Sequence, residues 1–164
     1  MATKTKRSQF RTFMDVSSDD TPVYELMGDG ITTGTINYNP EVETVTYIHE
    51  DSATSSVDRY APTMPIEAQY KKGDAVLDYL EAKRKARVVG TAAETTIVNV
   101  WMYEDAIDGE YPAEQQRVSI SFDTFGGDGG TPNALNCTLN YIGDAVLGTF
   151  DPVTKTFTAA EESE

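Results

Sequence analysis

Alternation of apolar and polar side chains over residues 115–142 constrains the fold more than any other feature of this chain. Side chains on a strand point to opposite faces with a period of two, so each such segment has one apolar and one polar face. The apolar series is Val118, Ile120, Phe122, Leu135, Cys137, Leu139 and Tyr141. The polar series is Arg117, Ser119, Ser121, Asp123, Asn136, Thr138 and Asn140. A polar face of this kind suits open solvent or the wall of an aqueous passage.

Further segments with strand patterns are separated by turn residues. Residues 95–103 are apolar on both faces, which predicts a central strand covered on both sides. The remaining strand candidates are 22–27, 33–39, 42–50, 64–70, 147–150 and 154–158. Seven or eight strands predict a mainly β fold of two packed antiparallel sheets, a sandwich or barrel, with one flanking α-helix and a long projecting loop.

One helix is predicted over residues 74–87. Asp74 is placed to cap its first turn, and Val76, Tyr79 and Leu80 share one face. The last turn is basic, which complements the partial negative charge of a helix C-terminus. We expect this helix to pack its apolar face on the central strand.

At 164 residues the chain is expected to form a single domain, 1–164. Three polar segments are expected to lie outside its core. They are an N-terminal arm at 1–14, the projecting loop at 50–63 and an acidic tail at 159–164. The N-terminus has no apolar segment after its basic residues, so we expect no secretory signal and synthesis in a cytoplasm.

The net charge of −14 argues against binding to a nucleic acid backbone, which needs clustered Lys and Arg. Basic residues nevertheless cluster in the first eleven positions and again near the end of the predicted helix. Two basic patches on an acidic body favour association between copies, although the second patch equally fits a solvated helix end. The basic candidates for such contacts are Lys4, Lys6, Arg7, Arg11, Lys83, Arg84 and Lys85.

No residue pattern predicts catalysis, a metal site or a cofactor site. His49 is the only histidine and has no Cys or Ser context. Cys137 lies on an apolar strand face and is interpreted as a core residue. The glycines at 28–34 and 126–130 lack the spacing or the following helix of a nucleotide-binding loop and are interpreted as turns. We therefore predict that the chain is not an enzyme, and no apolar stretch is long enough for a membrane helix.

Short motifs in a fixed order resemble the major tail tube proteins of long-tailed bacteriophages with non-contractile tails. Residues 143–144, 148–151 and 155–158 resemble the closing hairpin of that family. Residues 28–34, 39–41 and 47–48, followed by a polar loop up to Met64, resemble its opening half. Together these motifs span residues 27–158.

The resemblance implies a structural protein whose copies form rings, six to a ring, that stack into a tube. It implies a polar, acidic lumen that conducts genomic DNA during ejection, and location in the virion tail. The partners it implies are the chain itself, the tape measure protein and transiently DNA in the lumen, and the tail terminator and distal tail proteins at the tube ends. The expected lumen residues are Ser119, Ser121, Asp123, Asn136, Thr138 and Asn140. Subunit or ring contacts are expected from the basic candidates above and from Ser52, Thr54, Ser55, Asp58, Arg59 and Tyr60.

Two alternatives share parts of this pattern. A tube subunit of a contractile tail or of a type VI secretion device would have the same lumen and an exterior that faces a sheath. A carbohydrate-binding β-sandwich module would instead use Trp101, Tyr103 and Tyr111 as an exposed stacking platform.

Overall fold

The computed structural model describes residues 1–161, and the expected acidic tail at 159–164 lies partly outside this range. These described residues form ten strands, one α-helix and two 3-10 helices at Arg7–Gln9 and Gly90–Ala93. The strands are β1 Phe10–Asp15, β2 Tyr24–Leu26, β3 Ile31–Gly34, β4 Pro40–Val45, β5 Thr54–Tyr60, β6 Thr63–Gln69, β7 Glu94–Trp101, β8 Tyr111–Gly126, β9 Ala134–Asp151 and β10 Thr156–Ala159. The helix, α1, is Ala75–Ala86. The predicted class is confirmed: the fold is mainly β and antiparallel, with two sheets and one flanking helix.

Eight strands form one sheet in the order β2-β1-β7-β8-β9-β6-β3, and β10 pairs with the C-terminal half of β9. All pairings are antiparallel. The sheet is curled, because the rings of Phe13 on β1 and Phe150 on β9 lie 4.5 Å apart although β7 and β8 separate these strands.

Two apolar cores lie on opposite faces of this sheet. The first core is covered by α1, whose Val76, Leu77 and Leu80 are fully buried against β6, β8 and β9. The second core fills the curl at the other end of β8 and β9 and includes Phe13 and Phe150. Its other buried members are Tyr24, Val98, Val100 and Ala113. β7 contributes Ile97 to the first core and Val98 to the second, so the predicted two-sided burial of this strand is confirmed.

The helix begins where its capping pattern predicts. Asp74 accepts hydrogen bonds from the backbone N–H groups of Val76 and Leu77 at 3.1 and 3.0 Å. Arg87 ends the helix in the left-handed region at φ 48°. The N-cap satisfies two N–H groups that have no partner within a first helical turn.

Half of the segment predicted as a projecting loop at 50–63 is a strand. Thr54–Tyr60 forms β5, which pairs with β4 in a separate two-stranded sheet. Every residue of β5, and all of β4 except Val45, is exposed, so neither strand shows the one-sided burial by which strands are predicted. We call Pro40–Tyr60 the projecting hairpin.

The N-terminal arm predicted at 1–14 is also too long. Phe10–Asp15 is an internal strand between β2 and β7, with Phe13 and Met14 buried. Adjacent residues of this strand enter the two cores on opposite faces, so the segment carries no alternating pattern. The N-terminal arm is therefore residues 1–6, which are all exposed.

β10 lies directly over Gly148 of β9. A methyl group on Gly148 would overlap the carbonyl oxygen of Thr158 and approach Cζ of Phe157 to 2.8 Å. Gly148 is thus required for the close pairing of β9 and β10, which holds Phe157 against the second core.

Candidate functional site

The six residues predicted to face a lumen lie together on one face of the sheet. Ser119 is paired with Asn140 and Ser121 with Thr138, so these four side chains point the same way. Asn136 and Asp123 continue the same surface toward the β8–β9 turn. We call this surface, with Glu67 and Thr33 on the neighbouring strands, the polar face. It lies opposite the first core and carries no part of α1.

Hydrogen bonds on the polar face run mainly between its own groups. The Thr138 hydroxyl donates to Oδ2 of Asp123 at 2.8 Å, and the Asn140 amide donates to the backbone oxygen of Ser119 at 3.1 Å and to Oγ of Ser121 at 3.2 Å. The Asn136 amide donates to Oγ1 of Thr124 at 2.8 Å. Groups that are already paired with each other offer a passing ligand little gain in hydrogen bonding.

The charges on this face are mostly acidic. Glu67, Asp123 and Glu94 contribute carboxylates, and Arg117 contributes one guanidinium, which binds Glu94 with an N–O distance of 2.6 Å. Glu94 is paired with Ser119 across β7 and β8, so its side chain lies on the polar face. Arg117 lies on the same face because it is two residues before Ser119 on β8. Three carboxylates against one guanidinium leave a net charge of −2 per copy.

The polar face is bounded by unpaired strand edges on both sides. β3 pairs with β6 on its inner side, and among residues 1–161 no strand pairs with its outer edge. β7 pairs with β8 only up to Ser119, so residues 120–126 of β8 have β9 on one side and, in the described chain, no strand on the other. Such edges expose N–H and C=O groups that can pair with another strand.

A groove of about 640 Å³ runs beside the free edge of β8. Arg84 and Arg87 lie on its rim, and the Arg84 guanidinium stacks on the Phe125 ring at 3.7 Å from the centroid. Val89, also on the rim, is 81% exposed. The groove therefore has room and apolar surface for an added strand.

The basic candidates near the helix end are largely engaged within the chain. Arg84 binds Glu81 with an N–O distance of 2.6 Å, and Lys85 lies 3.7 Å from the same carboxylate. This arrangement lowers the pKa of Glu81, mainly through its hydrogen bond from Arg84. Lys83 donates to the backbone oxygen of Ala92 at 2.6 Å. These contacts favour the solvated helix end over a free basic patch for these three residues.

The basic candidates near the N-terminus fall into two groups, those exposed in the arm and those bonded to the body of the protein. Lys4 and Lys6 are exposed in the N-terminal arm, whereas Arg7 donates to the backbone oxygens of Phe10 and Gly34 and stacks on the Phe10 ring. Arg11 donates to the backbone oxygen of Ser8 at 3.1 Å. Arg7 thus fixes the point at which the arm leaves the body.

The remaining contact candidates all lie on the projecting hairpin. Thr54, Ser55, Asp58 and Tyr60 are exposed on β5, as is Arg59, which pairs with Glu41 across the hairpin. Ser52 lies in the connection at its tip. His49 is exposed near the same tip, 3.6 Å from Glu50.

The sugar-stacking platform predicted from three aromatic residues is not assembled. Trp101 and Tyr103 line one pocket, but Tyr111 packs against the second core on the opposite face of the sheet. Sequence spacing did not reveal that Tyr38 joins Trp101 and Tyr103, because the three come from separate parts of the chain.

Chemically reactive groups are sparse in the structure. Cys137 is fully buried, and burial raises the pKa of its thiol to about 12. In the described part of the chain no three His, Cys, Asp or Glu side chains cluster as metal ligands would. No helix within residues 1–161 is long and apolar enough to cross a membrane.

No protein-family model matches the chain, and no curated protein matches it.

Proposed function

We propose that this chain is a structural subunit that closes into rings and stacks into a tube, with the polar face lining the bore. The single observation that carries the proposal is the polar face bounded by two different free strand edges. The function would be that of the phage tail tube proteins that the sequence resembles, which is to conduct DNA during ejection.

Two different edges support a closed ring. When β8 of one copy pairs with β3 of the next, the contact is heterologous and repeats in one direction until it closes. Each new pairing satisfies backbone groups that a single copy leaves exposed on β8 and β3. The polar faces then form one continuous wall, and the helix of every copy lies outside it.

The chemistry of the polar face suits a bore through which DNA slides. Its hydroxyl and amide groups are engaged with each other, and its net charge of −2 per copy repels phosphates. Affinity for DNA comes chiefly from cations that neutralise phosphates, and here the one arginine is paired with Glu94.

The projecting hairpin supports stacking of rings. It joins the sheet beside Thr63, which is level with Asn140, whereas the β8–β9 turn lies six residues further along β9. At about 3.3 Å per residue the base of the hairpin and this turn are roughly 20 Å apart. A two-stranded hairpin is only marginally stable alone, and Tyr47, Ile48 and Val57 on this one are more than half exposed. Contact with a neighbouring ring would cover them.

The proposal includes the partners that the family resemblance implies. They are a tape measure protein and transiently DNA inside the bore, and the terminator and distal tail proteins at the tube ends. The location would be the virion tail after synthesis in a bacterial cytoplasm.

A tube from a contractile tail or a type VI device would use the same bore. The carbohydrate-binding alternative has one specific observation in its favour, the pocket that Tyr38, Trp101 and Tyr103 line with Glu114. Electron microscopy separates the classes: rings or tubes in concentrated protein support a tube subunit, and dispersed single copies with retention on a glycan column support the module.

Chemical cross-linking between two introduced cysteines tests ring closure. Thr33→Cys places a thiol beside one edge and Ser121→Cys beside the other, and buried Cys137 stays protected. With a short bis-maleimide, the double variant should give covalent oligomers up to the ring number. Either single variant should stop at dimers, because one thiol per copy cannot extend a chain of links. A double variant that also stops at dimers would refute pairing between these two edges.

A further inference from the structure

The face opposite the polar face has an aromatic, acidic groove at the end of the sheet away from α1. Two adjoining pockets of about 730 and 320 Å³ share Tyr38 and Glu114. Together they are lined by six aromatic rings, of which Tyr38 and Tyr60 form an edge-to-face pair with centroids 6.2 Å apart. The other four are Phe10, Trp101, Tyr103 and Tyr141. We call this surface the aromatic groove.

The carboxylates of the groove have no cationic partner in the described part of the chain. Asp58, Glu114 and Asp144 line it, and none of them forms an ion pair among residues 1–161. The lining has two bases, and both are engaged: Arg59 is bound to Glu41, and Arg7 donates to the backbone oxygens of Phe10 and Gly34. Glu114 accepts a hydrogen bond from the buried Asn99 amide at 3.1 Å, which holds its carboxylate at the base of the groove.

Carboxylates beside aromatic faces favour one class of ligand, an ammonium or guanidinium group. The carboxylates provide opposite charge, and the ring faces attract a cation over the same distance. Tyr141 stays neutral in this setting, because burial raises the pKa of its hydroxyl to about 12.

The N-terminal arm carries matching groups. Residues 1–6 contain Lys4 and Lys6 and no acid, and neither lysine forms an ion pair in the described chain. Six extended residues reach about 20 Å. Arg7, at the base of the arm, lines the narrower end of the groove, yet no residue of the arm lines either pocket. The arm instead extends from the body with every residue exposed.

We infer that the aromatic groove of one copy binds the N-terminal arm of a second copy, with Lys4 and Lys6 against Asp58, Glu114 and Asp144. The inference rests on the proposed self-assembly and adds to it a contact on the outer face of the ring wall. It accounts for both the unpaired lysines and the unpaired carboxylates by a single interaction.

Zero-length cross-linking tests the contact directly. A carbodiimide joins a lysine to a carboxylate only where the two touch, and mixing ¹⁵N-labelled with unlabelled full-length protein separates links between copies from links within one. Mixed-isotope links from Lys4 or Lys6 to the three groove carboxylates are the expected result. Lys4→Glu with Lys6→Glu should weaken self-association roughly tenfold, and adding Asp58→Lys with Asp144→Lys should restore it. Lys72→Glu and Asp128→Lys, at exposed positions away from the groove, are the matched controls and should leave association unchanged.

Other outcomes overturn the inference in distinguishable ways. Arm links confined to one isotope would mean that the arm binds its own groove. Rings or tubes without any arm link would refute this contact and leave the proposed tube standing, whereas single copies at every concentration would refute both. Trp101 is the only tryptophan and lines the groove, so its fluorescence reports what binds there. A change in its emission with oligosaccharides, and none on assembly, would identify the groove as a sugar site instead.

Discussion

Two added lysines on the polar face, Ser121→Lys with Thr138→Lys, should make this face bind DNA, which it repels under the proposed function. The face carries three carboxylates and one guanidinium, so the substitutions change its charge from −2 to 0 per copy. A lysine about 4 Å from a phosphate in water contributes about 1 kcal/mol. Each lysine–phosphate contact also makes the slope of log K for DNA binding against the logarithm of the salt concentration steeper by about 0.9. The cost to folding is three hydrogen bonds, from Thr138 to Asp123, from Asn140 to Ser121 and from Ser121 to the backbone oxygen of Thr138, each about 1 kcal/mol or less at these exposed sites.

Co-sedimentation of assembled tubes with DNA over a range of salt concentrations measures this slope. Particles that carry the variant should also release DNA more slowly after triggering, followed with an intercalating dye. Val153→Lys with Thr154→Lys adds the same charge on the exposed β9–β10 turn, beyond the C-terminal end of β9, and is the matched control. Equal DNA binding and equal release by the two double variants would show that the polar face does not line the DNA path.

Four further outcomes are expected. Gly148→Ala should lower the free energy of unfolding by roughly 1–3 kcal/mol, because the added methyl group would overlap the backbone of β10. Gly129→Ala is the control, since its methyl group would meet open space, and equal Tm values for the two variants would contradict this reasoning. Asp74→Ala should cost about 1 kcal/mol in urea unfolding, since two helix N–H groups lose their acceptor, and an unchanged midpoint would argue against the cap. Burial raises the pKa of Cys137 from 9.0 to about 12, so its contribution to stability is full below pH 9 and falls progressively between pH 9 and about 12, where the thiol ionises in the unfolded chain only. Maleimide should label Cys137 only as fast as the chain unfolds. Replacing residues 41–59 by a short glycine linker should leave rings that do not stack, and normal tubes in electron micrographs would exclude a role for the hairpin.

The parts of the fold that were predictable are those in which burial is one-sided. β8 and β9 alternate because one face packs on the first core, and α1 carries both its apolar face and its cap in contiguous sequence. β1 was missed because Phe13 and Met14 are buried on opposite faces. The projecting hairpin was missed because neither of its strands buries a face.

The candidate site was predictable only in its composition. The six polar-face residues follow from alternation, but the free edges that bound them depend on which strands pair over long distances in sequence. The aromatic groove depends on the same pairing, since Tyr38, Trp101 and Tyr141 meet only after β6, β7, β8 and β9 are in register. No local sequence pattern predicts that residues so far apart in the chain lie close together in the fold.

β8 and β9 each form one wall of both cores, at opposite ends and on opposite faces. Neither half of the molecule can therefore melt while the other keeps its packing, and calorimetry should record one transition with equal van't Hoff and calorimetric enthalpies. In the proposed filament, strain applied at either end of a subunit would be distributed over both cores instead of separating one strand layer from the other.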